Sequence, residues 1–351
     1  MASIGATVPK IPADSMSTPA VSIVIASHEG MEYLPACLES VFAQTYSDFE
    51  AIFVDSASTD GSLDYVTATH PTVRVIRSDV NLGFGKGNNL GASSAKGKYI
   101  LFLNPDTIVT KDFLHPLVQE LESNPGVGAA QSKIMRASNP GIIDSAGAYL
   151  TWTGVWVHFG RGEPNELIGS DPLEVLGACG TCLLVRRDLF EELNGFDPDF
   201  FVYFDDADFS WRVWLRGFGV VMVPKSVIYH WGSGTTKLLP SVFTVFHSFK
   251  NRVCSLLKLL SATDLIVIMP VHLTLCVAGT IAYFIKLKPS NGIAIIRALA
   301  WNLLNLRRTL QKRSTIAKSL SDDHRSKYRE LMRPLPLGYF VRTSLGYVSD
   351  W

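Results

Sequence analysis

Over its first 106 residues the chain alternates short apolar runs with stretches of helical spacing, and the apolar runs end on polar or acidic residues. Val21–Ala26 is followed by Ser27-His28-Glu29-Gly30, and Phe49–Val54 ends on Asp55. Val73–Ile76 precedes the glycine-rich run Asn81–Gly91, and Tyr99–Leu103 ends on Asn104-Pro105-Asp106. Between them, Leu34, Cys37, Leu38, Val41 and Phe42 recur at helical intervals, and Ser62 stands where a helix cap would. Such alternation predicts an α/β fold: a doubly wound, mostly parallel sheet with a ligand crevice at the carboxyl ends of its strands. Asp106, delivered there beside a turn stiffened by Pro105, is placed to hold a divalent metal on a phosphate. Asn-Pro-Asp is also ordinary turn chemistry.

Downstream, Asp112–Leu121 reads as a helix, Val127–Ile134 and Val175–Val185 as strands, and Leu189–Leu193 as a helix. The stretch Ile143–Gly162, rich in Trp, Gly and Tyr, either shapes an acceptor pocket or simply packs. Phe200–Phe204 leads into Asp205-Asp206-Ala207-Asp208, where three carboxylates in four residues call for a nearby cation. Asp208 and Arg212 can pair on one helical face, leaving Asp205 and Asp206 at a helix N-terminus, where negative charge is favoured. A capping cluster without a catalytic role is the competing reading. After strands at Val220–Val223 and Val227–His230, His230 enters a Gly- and Ser-rich loop, as a structural residue or a metal ligand. The glycine run fits neither the P-loop nor the dinucleotide fingerprint. Its place between a strand and a helix nevertheless suits an anion.

The five cysteines, odd in number and dispersed, form no disulfide framework and fit a reducing compartment. Cys179-Gly-Thr-Cys182 has redox-motif spacing, but small residues packed in an apolar strand account for it better. Residues 1–19 lack the apolar core of a signal peptide and are expected to be a disordered leader.

Taken together, several pieces resemble the family 2 glycosyltransferases of GT-A fold, in particular the branch that includes rhamnosyltransferases. These pieces are Val21–Ser27, Val54–Gly61, Asn81–Gly91, Asn104-Pro105-Asp106, Gly195 through Arg212, and His230 with the Gly and Ser after it. The resemblance spans residues 20–255. It implies a nucleoside-diphosphate sugar donor, inversion at the anomeric carbon, and Mg²⁺ or Mn²⁺. By the same resemblance, Asp55 binds the nucleobase or ribose, with Ser27, Glu29, Asp60, Asn81, Gly85, Lys86, Asn89, Asn104 and Arg212 also on the substrate. Asn104-x-Asp106 stands at the family's metal motif, His230 is a further metal ligand, and Asp206 is the general base beside Asp205. Asn104 replaces the motif's first Asp, which puts the metal chiefly on Asp106. Asp205 replaces a Glu. The chemistry agrees: a sugar hydroxyl needs a carboxylate to take its proton, and a leaving diphosphate needs its charge neutralised. A dTDP-rhamnose donor is the first expectation from Asn81–Asn89. Nucleotidyl transfer to a sugar phosphate would want a basic glycine-rich motif that Ser27–Gly30 does not supply. A silent sugar-nucleotide-binding protein would not need Asp55, Asp106, Asp206 and His230 together.

Hydrophobic residues make up 47% of the 351, and the mean hydropathy is +0.19, high for a fully soluble chain. Between Leu265 and Ser321 there is no Asp or Glu, but eight Lys and Arg. Leu265–Ile285 is long enough to cross a bilayer, although Pro270 and His272 interrupt it. Basic residues flank it on both sides (Lys250, Arg252 and Lys258 before it), so both ends are expected to stay on the cytoplasmic side. Residues 256–320 are accordingly expected to form a helical segment that lies on an anionic membrane surface or re-enters it. A single span, a soluble subdomain or an interface in a homo-oligomer are the alternatives. Ile293–Leu310 carries the apolar stripe of a second helix, and residues 321–351 are a tail. The expected location is the cytoplasmic face of the cell membrane, the acceptor a glycan or lipid-linked glycan, and nucleic acid is not a partner.

Overall fold

The computed structural model describes residues 18–232, 239–318 and 327–336. The leader up to residue 17, the loop at Ser233–Thr236 and most of the tail lie outside them. The first half runs β1 (Val21–Ser27), α1 (Leu34–Phe42), β2 (Phe49–Ser56), α2 (Ser62–Thr69), β3 (Arg74–Ser78), α3 (Gly83–Ala92) and β4 (Tyr99–Leu103). It continues with β5 (Thr107–Val109), α4 (Leu114–Ser123), β6 (Val127–Arg136), β7 (Asn139–Ser145), β8 (Ala148–Leu150), β9 (Trp156–His158) and β10 (Leu173–Glu174). Then come β11 (Cys182–Arg186), α5 (Arg187–Glu192), α6 (Asp205–Leu215) and β12 (Gly219–His230). The C-terminal helices are α7 (Ser241–Leu259), α8 (Ala262–Ile285), α9 (Pro289–Leu304) and α10 (Leu306–Lys318).

Strands β3-β2-β1-β4 are parallel, as the alternation predicts, and β12 runs parallel to β6. Between these two groups β11 is antiparallel to both of its neighbours. Both faces of the sheet are covered: Val24, Ile52, Val54, Ile100 and Phe102 pack on one side, Ile23, Ile25, Phe53, Leu101 and Leu103 on the other. Of the expected strand Val175–Val185, only Cys182–Arg186 lies in the sheet. All five cysteines are free, and burial pushes the Cys179 and Cys182 thiols up to about 12, which leaves them unreactive.

The glycine-rich run is not a phosphate loop but the helix α3 itself. A Cβ on Gly91 would lie 2.3 Å from Val24 Cγ1 and 3.0 Å from Val54 Cγ2, and one on Gly87 3.2 Å from Ala26 Cβ. The glycines let the helix backbone press onto β1 and β2. Ser62 is the first residue of α2 rather than its cap; Asp60 Oδ1 accepts the Ser62 N–H at 3.0 Å instead.

The tail departs from expectation in three ways. Helix α8 runs unbroken for 24 residues through Pro270, and the second apolar stripe is split at Asn305 into α9 and α10. Lys250, Arg252 and Lys258 are not membrane-flanking charges: all three are buried on α7. Lys258 Nζ lies 2.6 Å from Asp197 and 2.7 Å from Asp208, while Lys312 and Arg308 reach Asp199 at 2.6 and 2.7 Å. Buried charges persist only when paired, and these pairs bolt α7 and α10 onto the acidic segment ahead of α6. Asp264, Ile268, His272 and Cys276 form the buried stripe of α8, tied down by Asp264 to Tyr328 and Arg329 and by His272 to Thr153 O at 3.1 Å. Ile266, Val267, Val277, Ile281 and Ile285 on the same helix stand exposed, as do Leu303 and Leu304 on α9.

Candidate active site

A cavity of about 360 Å³ opens at the carboxyl ends of β1, β2 and β4. Ser27, Asn81, Asn104, Asp106, Asp205, Asp206 and His230 line it, and so do Asp144, His158 and Arg161. Its assembly depends on strand pairing. After β4 and the Asn104-Pro105-Asp106 turn, β5 pairs antiparallel with the end of β12, setting Thr107 opposite His230. Trp231 N–H then donates to Asp106 O at 3.0 Å. His230 Nε2 consequently lies 3.4 Å from Asp106 Oδ1, although 124 positions separate them in the chain.

The other ring nitrogen, His230 Nδ1, meets Asp144 Oδ2 at 2.7 Å. Asp144 comes from β7, the strand paired with β6, and Arg161 and Arg136 approach its other oxygen at 3.6 and 4.0 Å. Burial alone would lower the His230 imidazole, but the Asp106 and Asp144 carboxylates outweigh it and hold it at about 9. Burial would likewise raise Asp144, yet the hydrogen bond and charge of His230 and the charge of Arg161 bring it down to about 2. A carboxylate on the far nitrogen of an imidazole is the arrangement that orients metal-bound histidines. Asp106 and, once the cation displaces its Nε2 proton, His230 suit a divalent ion whose remaining ligands are phosphate and water oxygens.

Across the cavity, Asp206 opens α6. Its Oδ2 accepts the Gly180 N–H at 2.7 Å and its Oδ1 the Ala207 N–H at 2.8 Å. Asp205 is only 1% exposed and neither of its oxygens has a hydrogen-bond partner in the protein. Burial, followed by the Asp206 charge, raises its carboxyl well above the usual range, which disfavours its charged form. Of the pair, Asp206 is the one whose carboxylate is oriented by backbone N–H groups, as a general base must be. The turn before them is strained: Tyr203 and Phe204 both adopt left-handed φ, at 67° and 69°. For bulky residues that costs about 1–3 kcal/mol each.

At the β1–β2 edge, Ser27 Oγ, Asp55 Oδ1 and Ser56 Oγ are buried without partners, and Asp55 stands in register with Ser27. Orphaned buried polar atoms side by side at strand ends fit a polar ligand that supplies the missing hydrogen bonds. Ser27 and Ser56 line the cavity but Asp55 does not, and apart from Asn81 and Asn104 the other substrate-binding candidates do not reach it either. Arg212 is buried against Asp208 Oδ2 at 2.9 Å and donates to Leu193 O and Gly195 O, so its guanidinium is spent on structure. Asn89 clasps Phe196 through both backbone groups. Asp60 Oδ2 accepts the Met31 N–H, and Glu29 Oε1 the Thr59 N–H. Gly85 packs under Asp205, and Lys86 is exposed on α3. Asn81 lines the cavity and accepts the Gly83 N–H at 2.9 Å. Asp144 and Arg161 were missed as individual residues; the one signal was their place in the Ile143–Gly162 stretch, read as a pocket-shaping segment.

Residues 22–194 match the family described as Glycosyl transferase family 2. The chain is 23% identical over 252 residues to an N-acetylglucosaminyl-diphospho-decaprenol L-rhamnosyltransferase of Mycobacterium tuberculosis, covering 66% of this chain and 82% of that protein. It is 27% identical over 235 residues to an O-antigen biosynthesis protein of Myxococcus xanthus, covering 63% of this chain but 18% of that protein. A third relative, an uncharacterized protein of Sinorhizobium fredii, is 28% identical over 61% of this chain, which spans 24% of its length. Among solved structures, the Pyrobaculum calidifontis mannosyltransferase PcManGT in complex with GDP-Man and Mn²⁺ aligns over 95% of this chain and 88% of its own, with TM-score 0.54 and 18% identity. GalNAc-T7 with UDP, GalNAc and Mn²⁺ aligns over 70% of this chain and 49% of its own, with TM-score 0.57 and 20% identity.

Proposed function

For a chain whose residues 22–194 match the Glycosyl transferase family 2 model and whose fold is GT-A, we propose inverting transfer of a sugar from a nucleoside-diphosphate donor to a glycan or lipid-linked acceptor. The observation that carries this reading is that Asp106, His230 and Asp206 line one cavity. The nucleoside occupies the β1–β2 edge, where Ser27, Asp55 and Ser56 offer unpaired polar atoms. Mg²⁺ or Mn²⁺, held by Asp106 and His230, supplies neutralisation of the charge that grows on the leaving diphosphate. Asp144 fixes the His230 ring, and Asn104 leaves Asp106 as the principal carboxylate of the motif. Asp206, steadied by the Gly180 N–H, takes the proton of the acceptor hydroxyl as that oxygen attacks the anomeric carbon. With a base that activates the acceptor oxygen for direct attack, the single displacement gives inversion. The rhamnosyltransferase relative and the Asn81–Asn89 resemblance favour dTDP-rhamnose as the first donor to try.

The apolar outer faces of α8 and α9, which carry no acidic residue after Asp264, suit the cytoplasmic surface of an anionic membrane. The ties of Asp264 and His272 to the rest of the protein favour attachment along the surface over a crossing. The decisive experiment is Asp206→Asn assayed for nucleoside diphosphate release with Mg²⁺ or Mn²⁺. Binding of the nucleotide persists while turnover falls about 10²- to 10⁴-fold. Near-normal turnover removes the base assignment.

A further inference from the structure

We infer that Asn251, on helix α7, is a positioning residue for the base: its side-chain amide holds the Tyr203–Phe204 turn in the left-handed conformation that aims the start of α6 into the cavity. This rests on the reading of Asp206 as the base.

Two adjacent aromatic residues do not adopt φ of 67° and 69° unless their surroundings impose it. The imposing contact is specific. Asn251 Nδ2 donates to Val202 O at 2.9 Å and to Tyr203 O at 2.7 Å, so one amide holds the carbonyls on both sides of the first strained residue. Asn251 is fully buried, and its own Oδ1 has no partner. A side chain used only for packing would not leave an acceptor unpaired in a core. What Asn contributes here is the pair of N–H donors.

The neighbouring contacts explain why the fork governs geometry rather than the existence of the fold. Phe201 O accepts the Phe84 N–H at 2.8 Å, Lys250 Nζ donates to Asp199 O at 2.7 Å, and Lys258 and Lys312 pair with Asp197. The segment is thus anchored as far as Phe201 without Asn251. From Val202 to Phe204 the Trp156 ring and the Arg252 guanidinium pack on the Phe204 side chain and the Asp208 N–H donates to Phe204 O at 2.9 Å, while the Asn251 fork holds the Val202 and Tyr203 carbonyls; Asp205 and Asp206 follow at once. The positioning residue lies beyond residues 22–194, the part matched by the family.

The test measures nucleoside diphosphate release, with Mn²⁺, from whichever of dTDP-rhamnose, UDP-N-acetylglucosamine and GDP-mannose the wild-type chain turns over. Asn251→Leu and Asn251→Ala both remove the donors; the second adds no bulk against the turn and serves where the first does not fold. The expected result is a kcat lower by about 10- to 100-fold, as for a misplaced catalytic group. The KM for the donor and the affinity for dTDP or UDP stay within about twofold. Adding Tyr203→Gly, which adopts the turn without strain, recovers part of the lost kcat. A purely structural role would lower binding and stability together and gain nothing from the glycine. Unchanged kcat in both variants, or loss of nucleotide affinity in step with kcat, overturns the inference. Asp206→Asn run alongside separates the two claims. Activity retained there defeats the base assignment, whereas its loss there with full activity in the Asn251 variants defeats only the positioning role.

Discussion

Removing the Asp144 carboxylate tests whether His230 is an oriented ligand or a histidine that merely bridges two acids. Asp144 Oδ2 lies 2.7 Å from His230 Nδ1, and its side chain is 12% exposed. Asp144→Asn keeps an oxygen able to accept from Nδ1–H but removes the charge; Asp144→Ala removes both. In either case Arg161 and Arg136, at 3.6 and 4.0 Å from the lost oxygen, remain beside the imidazole without their carboxylate. Loss of such an outer carboxylate lowers metal affinity about 10- to 100-fold, or about 1.4–2.7 kcal/mol. The Asn variant belongs near the lower figure, because the hydrogen bond survives, and the Ala variant near the upper one. Calorimetric titration of Mn²⁺ into the protein saturated with dTDP or UDP measures this directly. The Mn²⁺ concentration for half-maximal nucleoside diphosphate release should move in parallel. If Asp144→Ala folds and binds Mn²⁺ within about twofold of wild type, the carboxylate does not orient a ligand and the two-residue site is wrong.

Gly91→Ala places a methyl 2.3 Å from Val24 Cγ1, and urea denaturation should show a loss of about 1–3 kcal/mol from overpacking against the sheet. Nucleotide affinity of the folded fraction should not change, since α3 serves packing there. Asp197 is buried, which would raise its carboxyl, but the Lys258 and Lys312 charges dominate and hold it well below the carboxylate range. Its folded pKa is therefore depressed, so its contribution to stability is present above its unfolded value near pH 4 and is lost as pH falls below it. Thermal unfolding from pH 6 to pH 2.5 should show that decline, and Asp197→Asn should make it shallower. Alkaline carbonate should release the protein from membranes, and serine at Ile266, Val267, Ile281 and Ile285 should abolish binding to vesicles containing phosphatidylglycerol; retention in carbonate would mean that α8 crosses the bilayer.

Much of the fold and part of the site were legible in the sequence, because each depends on short-range pattern. Apolar runs of five to eight residues with helical spacing between them specify a covered parallel sheet, since only that arrangement buries both strand faces. A polar residue at the end of such a run must leave the core, which puts Ser27, Asp55 and Asp106 at the carboxyl edge. The i, i+4 pairing of Asp208 with Arg212 is equally local, but that it takes Arg212 away from the substrate shows only in the packed structure.

Contacts set by long-range pairing were not legible. His230 meets Asp106 only because β5 pairs with β12, and Asp144 meets His230 only because β7 folds back on β6. The glycines of α3 read as a ligand loop because sequence records the absence of a Cβ but not what occupies its place; here Val24 and Val54 do. Lys258 of α7 reads as membrane-facing because its partners, Asp197 and Asp208, lie 61 and 50 residues earlier and come into contact only in the packed chain. Composition and periodicity decided which groups stand at the sheet edge. The antiparallel returns of β5, β7 and β12, and the docking of α7, decided which of them face one another.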